Sequence, residues 1–160
     1  AYVLNLPSRA VEEGLGAFTG AGRRFEKKGA CNGADVYDDY AHHPDELRAL
    51  LTMSKELGYR RVICAFQPHT YSRTEALFND FAEVLRLPDV TLLAEIFAAR
   101  ESNEHGITSR TLAEHVPGSQ YFPTLEALTE HLRTLAQPGD LILTVGAGDI
   151  YTVGEALTSH

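Results

Sequence analysis

The feature that most restricts the fold is a repeated alternation. From Asp35 onward, short runs suited to strands take turns with longer runs suited to amphipathic helices, about five times over. Arg61–Phe66 reads Arg-Val-Ile-Cys-Ala-Phe, a nearly continuous apolar run of the kind found in strands covered on both faces. Asp35–Tyr40, Val90–Ile96, Leu141–Val145 and a brief Tyr121-Phe122 read as further strands. Between them, Asp45–Leu57 places Leu47, Leu50, Leu51 and Leu57 on one helical face and stops at Gly58. Ser72 and Glu75 fit a capping box for a helix carrying Leu77, Phe78, Phe81, Val84 and Leu85, which ends before Pro88. Ser109–Val116 is a short helix, Thr124 caps another with Leu125, Leu128, Leu132 and Leu135 inward, and Gly146-Ala-Gly148 opens a last one. Such alternation implies an open α/β sheet of about five parallel strands with helices on both faces. Asn32-Gly33 joins the extended segments Arg24–Gly29 and Asp35–Tyr40 as a hairpin, which adds one antiparallel strand at the start.

A chain of 160 residues that is 44% hydrophobic and 22% charged suits one domain with a full core. The net charge of −8 argues against sequence-independent binding to nucleic acid or an anionic membrane. No apolar run approaches 18 residues, and no signal-peptide pattern opens the chain. Cys31 and Cys64 do not make a disulfide framework, and Cys64 falls inside a buried strand pattern, so a reducing cytoplasm is expected. The first residue is Ala1, not Met, and Ala1–Phe18, with a short helix over Ala10–Phe18, reads as the middle of a longer chain.

Chemistry concentrates in the loops after the strands, where open α/β sheets bind ligands. The stretch Asp38-Asp39-Tyr40-Ala41-His42-His43 precedes Pro44, a good first helical residue, and Asp45 and Glu46, which suit the positive end of the helix dipole. Two imidazoles and two carboxylates exceed what capping a helix requires, although an Asx-rich capping turn is the simpler alternative. Gln67-Pro-His-Thr-Tyr-Ser-Arg73 follows the next strand, with His69 as a near-neutral base or donor and Arg73 as a carboxylate clamp. A solvated loop is its plainer reading, but both loops leave the same sheet edge and converge. Arg23-Arg24-Phe-Glu26 suits a phosphate contact or a charged strand start. Val145-Gly-Ala-Gly-Asp149 fails as a dinucleotide fingerprint because Tyr151 stands at the third glycine, so packing explains these glycines better. Arg100-Glu101, in the polar loop after Ala98-Ala99, is a weaker candidate for which a solvated loop is the plainer reading. No phosphate-binding P-loop pattern occurs.

Taken together, Gly20-Ala-Gly-Arg-Arg-Phe-Glu26, Asp38-Asp-Tyr-Ala-His-His-Pro44, Phe66-Gln-Pro-His-Thr-Tyr-Ser-Arg-Thr74, Glu95-Ile-Phe-Ala-Ala-Arg-Glu101 and Val145-Gly-Ala-Gly-Asp-Ile150 resemble the C-terminal domain of the Mur ligases, nearly end to end. The resemblance implies a Rossmann-like domain over residues 20–160, preceded over 1–19 by the helical tail of a central ATP-binding domain. It implies an ATP-dependent, Mg2+-requiring ligase that joins L-alanine to UDP-N-acetylmuramate through an acyl phosphate, with ATP held mainly by the central domain and this part inactive alone. It places Arg24 and Asp39 on the nucleotide side, and Tyr40, His42, His69 and Arg73 around L-alanine. His42 and His69 then handle the incoming ammonium, and no metal ligand falls here. Thr70 departs from members that carry arginine at this point, leaving more of the carboxylate grip to Arg73. Two readings from other classes stand beside it: a metal-dependent phosphohydrolase using Asp38, His42 and His43, and a non-catalytic nucleotide-binding module.

Overall fold

The computed structural model describes residues 22–104 and 106–159. Its strands are β1 Glu26–Cys31, β2 Ala34–Asp39, β3 Arg61–Phe66, β4 Val90–Ala94, β5 Gln120–Phe122 and β6 Asp140–Val145. Its helices are α1 Pro44–Glu56, α2 Tyr71–Ala76, α3 Phe78–Val84, α4 Ser109–Glu114, α5 Leu125–Leu135 and α6 Tyr151–Thr158. The six strands form one sheet in the order β1-β2-β6-β3-β4-β5. The pairing β1–β2 is antiparallel and every other pairing is parallel. The fold expected from the alternation is therefore the fold observed. The expected helix over Ala10–Phe18 and the division at residue 19 lie outside the described residues.

Local chemistry accounts for the elements. Asn32 and Gly33 carry φ values of 49° and 81°, the left-handed pair that a two-residue hairpin requires, and Cys31 pairs with Ala34 across it. Pro44 opens α1 as expected, and His43 caps it: its Nδ1 accepts from Asp45 N–H while the Glu46 carboxylate accepts from the His43 and His42 N–H groups.

The helices divide into two layers. On one face Val62, Cys64 and Phe66 meet Leu47 and Leu51 of α1, Phe81 of α3 and Leu112 of α4. On the other, Ile63 and Ala65 meet Leu128 and Leu132 of α5 and Val153 and Leu157 of α6. Each buried leucine is worth about 1.5–3 kcal/mol, so these two seams anchor the helices and hold the sheet edge still.

One expectation is corrected. The helix foreseen after Ser72 is two helices, broken at Leu77 (φ −112°, ψ 22°), and the Ser72–Glu75 capping box does not form. The first helix already begins at Tyr71, after Thr70. Ser72 turns to Glu101 instead: its N–H reaches Oε2 at 2.9 Å and its hydroxyl reaches Oε1 at 2.6 Å. A carboxylate from the β4 loop thus supplies the negative charge that the first helical turn favours, and a long-range partner replaces the local one.

Candidate functional site

Strand register decides which loops meet. Asp39 aligns with Val145, Val145 with Phe66, and Phe66 with Leu93, so β2, β6, β3 and β4 end in one row. The turn after β2 and the loop after β3 flank the glycine loop after β6. Adjacent strands are about 4.8 Å apart, so the two outer loops start roughly 10 Å from each other. With only Gly146, Ala147 and Gly148 between them, His42 and His69 close to 6.0 Å between ring centroids. The convergence expected of these loops is present.

On the β2 side, Asp39 is buried and its two oxygens hold the turn, accepting from Phe25 N–H at 2.7 Å and Ala41 N–H at 2.8 Å. Tyr40 is exposed and its ring stands edge-on to His42 at 5.4 Å. His42 Nδ1 lies 3.0 Å from the Tyr40 carbonyl oxygen. Arg24 is exposed, with its guanidinium 6.0 Å from the Tyr40 ring centre.

The neighbouring Arg23 also lies over the Tyr40 ring, 5.1 Å from its centre, but its guanidinium is engaged by other groups of the protein. Its guanidinium pairs with fully buried Asp38 at 2.8 Å and donates to the carbonyls of Gly146 and Gly148 at 2.5 and 3.1 Å. Asp38 also accepts from the Thr144 hydroxyl at 2.8 Å. This buried pair ties the β1 approach, β2 and the glycine loop together. It also occupies Asp38, and His43 is occupied as the cap of α1, which removes two of the three ligands a phosphohydrolase reading needs. Among the described residues, no three His, Cys, Asp or Glu side chains gather as a metal-binding group.

On the β3 side, His69 bridges to Phe97 of the β4 loop, with the rings stacked at 5.6 Å. Arg73 donates to His69 Nδ1 at 3.3 Å and to its carbonyl at 3.5 Å. Burial holds the His69 imidazole below its ordinary pKa, the charges of Arg73 and His42 add to this, and Glu101 opposes it. Neutral imidazole beside a guanidinium suits binding of a carboxylate next to an amine. Between them Thr70 has φ 69° and ψ 144°, a conformation that β-branched residues rarely adopt. Its N–H bonds to the Phe97 carbonyl at 2.9 Å, and its own carbonyl accepts from both Thr74 groups.

The glycines have a packing explanation of a particular kind. A Cβ on Gly146 would lie 2.6 Å from the Gln67 carbonyl oxygen, and one on Gly148 would strike the Gln67 side chain and lie 2.6 Å from Phe97 Cγ. Buried Gln67 in turn donates to Asp149 at 2.7 Å and accepts from Ile150 N–H at 3.1 Å. Sequence reasoning left Gln67, Phe97, Thr144 and Glu101 without roles, because their partners are distant in the chain. The match of Gln67, Phe97 and Glu101 to family motifs was the available signal.

Residues 23–148 match the family model described as Mur ligase, glutamate ligase domain, and the chain belongs to the Mur ligase family. It is 46% identical over 158 residues to the UDP-N-acetylmuramate–L-alanine ligase of Agathobacter rectalis and 48% identical over 158 residues to that of Lachnospira eligens. In each case the match covers 96% of this chain and 34% of the relative, so the chain spans about a third of their length. Among solved structures, a UDP-N-acetylmuramate–alanine ligase of Thermotoga maritima superposes with a TM-score of 0.71 at 26% identity, covering 97% of this chain and 33% of the other.

Proposed function

We propose that this chain is the C-terminal, amino-acid-binding domain of a cytoplasmic ATP-dependent ligase that joins L-alanine to UDP-N-acetylmuramate in peptidoglycan precursor synthesis. The observation that carries the reading is the meeting of Arg73, neutral His69 and His42 at one sheet edge. Arg73 neutralises the alanine carboxylate. His42 and His69 face the ammonium, and Tyr40 walls the pocket. Only the free amine attacks an acyl carbon, so a proton acceptor near neutrality is required.

Residues 1–19 are read as the tail of a preceding ATP-binding domain and 20–160 as this domain. ATP with Mg2+ supplies the phosphoryl group that activates the lactyl carboxylate, and the central domain holds it. The fit on this side is a single exposed cation, Arg24, beside Tyr40, suited to a phosphate or ribose. Asp39 contributes by holding the Phe25 N–H and so the turn that presents Arg24. A cytoplasmic setting accords with an ATP-dependent reaction and with two buried free thiols, Cys31 and Cys64.

The test is ADP release by the full-length protein. It should require L-alanine and UDP-N-acetylmuramate together, whereas the chain described here should turn over no ATP. Alanine-dependent ADP release by this chain alone overturns the division of labour, and a full-length protein indifferent to alanine overturns the reading itself.

A further inference from the structure

The two histidines are not equivalent, and their hydrogen-bond partners show how they differ. A neutral imidazole carries one N–H and one lone pair, and whichever bond one nitrogen makes decides what the other can do. His42 Nδ1 lies 3.0 Å from the Tyr40 carbonyl oxygen and 3.4 Å from Glu46 Oε2. A carbonyl and a carboxylate only accept, so Nδ1 must carry the hydrogen and the lone pair lies on Nε2. His69 is the reverse. Its Nδ1 faces the Arg73 guanidinium at 3.3 Å, and a guanidinium only donates, so Nδ1 must hold the lone pair and the hydrogen sits on Nε2. Neither Nε2 has a bonded partner among the described residues, and neither is among their buried unpartnered polar atoms. Neither is fully buried, so both remain open to a ligand.

We propose that His42 Nε2 is the proton acceptor for the incoming ammonium and that His69 Nε2–H is a hydrogen-bond donor in the same pocket; this assignment rests on the alanine-ligase reading. In the step, the ammonium loses one proton to the His42 Nε2 lone pair. The freed nitrogen lone pair forms the C–N bond at the acyl carbon. The carbon–oxygen bond to phosphate then breaks, phosphate leaves with that electron pair, and the second nitrogen proton departs with it. His69 keeps its hydrogen throughout and donates to an oxygen of the substrates.

The electrostatics agree with a neutral His69. Positive charge on His42 pushes the His69 proton affinity down further, beyond the effects of burial and Arg73. Among the described residues, the charged groups facing this pair are Glu46 from α1 with Arg23 and Arg24 across the Tyr40 ring on the His42 side, and Arg73 from α2 with Glu101 from the β4 loop on the His69 side.

The experiment uses the full-length ligase with saturating ATP and UDP-N-acetylmuramate. A glutamine amide reaches about where Nε2 stands and donates or accepts a hydrogen bond, but it takes no proton near neutrality. His42→Gln should lower kcat about a hundredfold or more, leave the alanine KM within about threefold and abolish the acid limb of kcat/KM. His69→Gln keeps a donor, so kcat should fall less than tenfold with the acid limb retained. The reverse pattern, an acid limb lost with His69→Gln and kept with His42→Gln, overturns the assignment. Nitrogen-15 shifts of selectively labelled histidines in the unmodified enzyme provide a second measurement that needs no variant. They should report the Nδ1–H tautomer for His42 and the Nε2–H tautomer for His69, and the opposite tautomers overturn the proposal. Wild-type protein without alanine-dependent ADP release refutes the ligase reading instead, so the two failures are distinguishable.

Discussion

His42 and His69 approach to 6.0 Å between ring centroids although they leave strands that are not neighbours, since β6 runs between β2 and β3. The glycine loop after β6 lies between those strands, and Gly146 and Gly148 let Gln67 and Phe97 pack against it. Gly148→Ala places a methyl group against Gln67 and Phe97. The expected outcome is a loss of about 1–3 kcal/mol, typical of overpacking, with a raised alanine KM because Phe97 stacks on His69. Denaturant unfolding and steady-state kinetics check the two parts. Unaltered stability would mean that the loop relaxes freely.

Arg73→Ala should raise the alanine KM of the full-length enzyme roughly tenfold to a hundredfold, the range for a hydrogen bond to a charged group. The KM values for ATP and UDP-N-acetylmuramate should stay near wild type. An unchanged alanine KM removes Arg73 from the pocket.

Glu101→Gln tests the clamp on α2. Its carboxylate receives both the N–H and the hydroxyl of Ser72, next to Arg73 in the chain. These bonds hold the Glu101 carboxyl below its ordinary range. Small displacements at a reacting site are expensive, so the alanine KM should rise about tenfold with little change in thermal midpoint. Ser72→Ala should act in the same direction, and the double variant should fall short of the product of the singles. Full multiplicativity would show that the two side chains act separately.

Asp38→Ala leaves the Arg23 guanidinium facing Thr144 and two carbonyls without its counter-charge. Breaking such a buried pair costs about 3–5 kcal/mol, and the partial exposure of Arg23 places the expected loss near the lower end. Urea unfolding of wild type and variant reads it. A loss below about 1 kcal/mol would show that water reaches the site.

The His69 imidazole resists protonation in the folded chain relative to the ordinary value of 6.5. The unfolded chain therefore binds this proton first as the pH falls. Stability should decline as pH drops through 6.5, and this contribution should level off once the folded His69 also takes its proton. His69→Gln should flatten that part of the stability–pH curve. A steeper decline in the variant contradicts the direction of the shift.

Much of the site was legible in the chain. Pro44 after a polar turn marked the start of α1, and paired polar loops after β2 and β3 marked the edge where the two loops converge. The roles within them were not legible. Of the adjacent Arg23 and Arg24, one is consumed by Asp38 and the glycine loop and the other is exposed. Asp38 and Asp39 likewise look interchangeable in sequence, yet one pairs with a cation and the other holds backbone N–H groups. His42 and His43 separate in the same way, into a residue that faces His69 and a helix cap.

The alternation of apolar strands and amphipathic helices determined the sheet, its parallel sense and the edge where chemistry gathers, because these follow from periodicity and local turn chemistry within a few residues. The tertiary structure alone decided that β6 inserts between β2 and β3, that Glu101 and not Glu75 serves Ser72, and which nitrogen of each histidine is free. Each of these depends on a partner brought from far along the chain. Strand order and register, not local propensity, determine which partners meet.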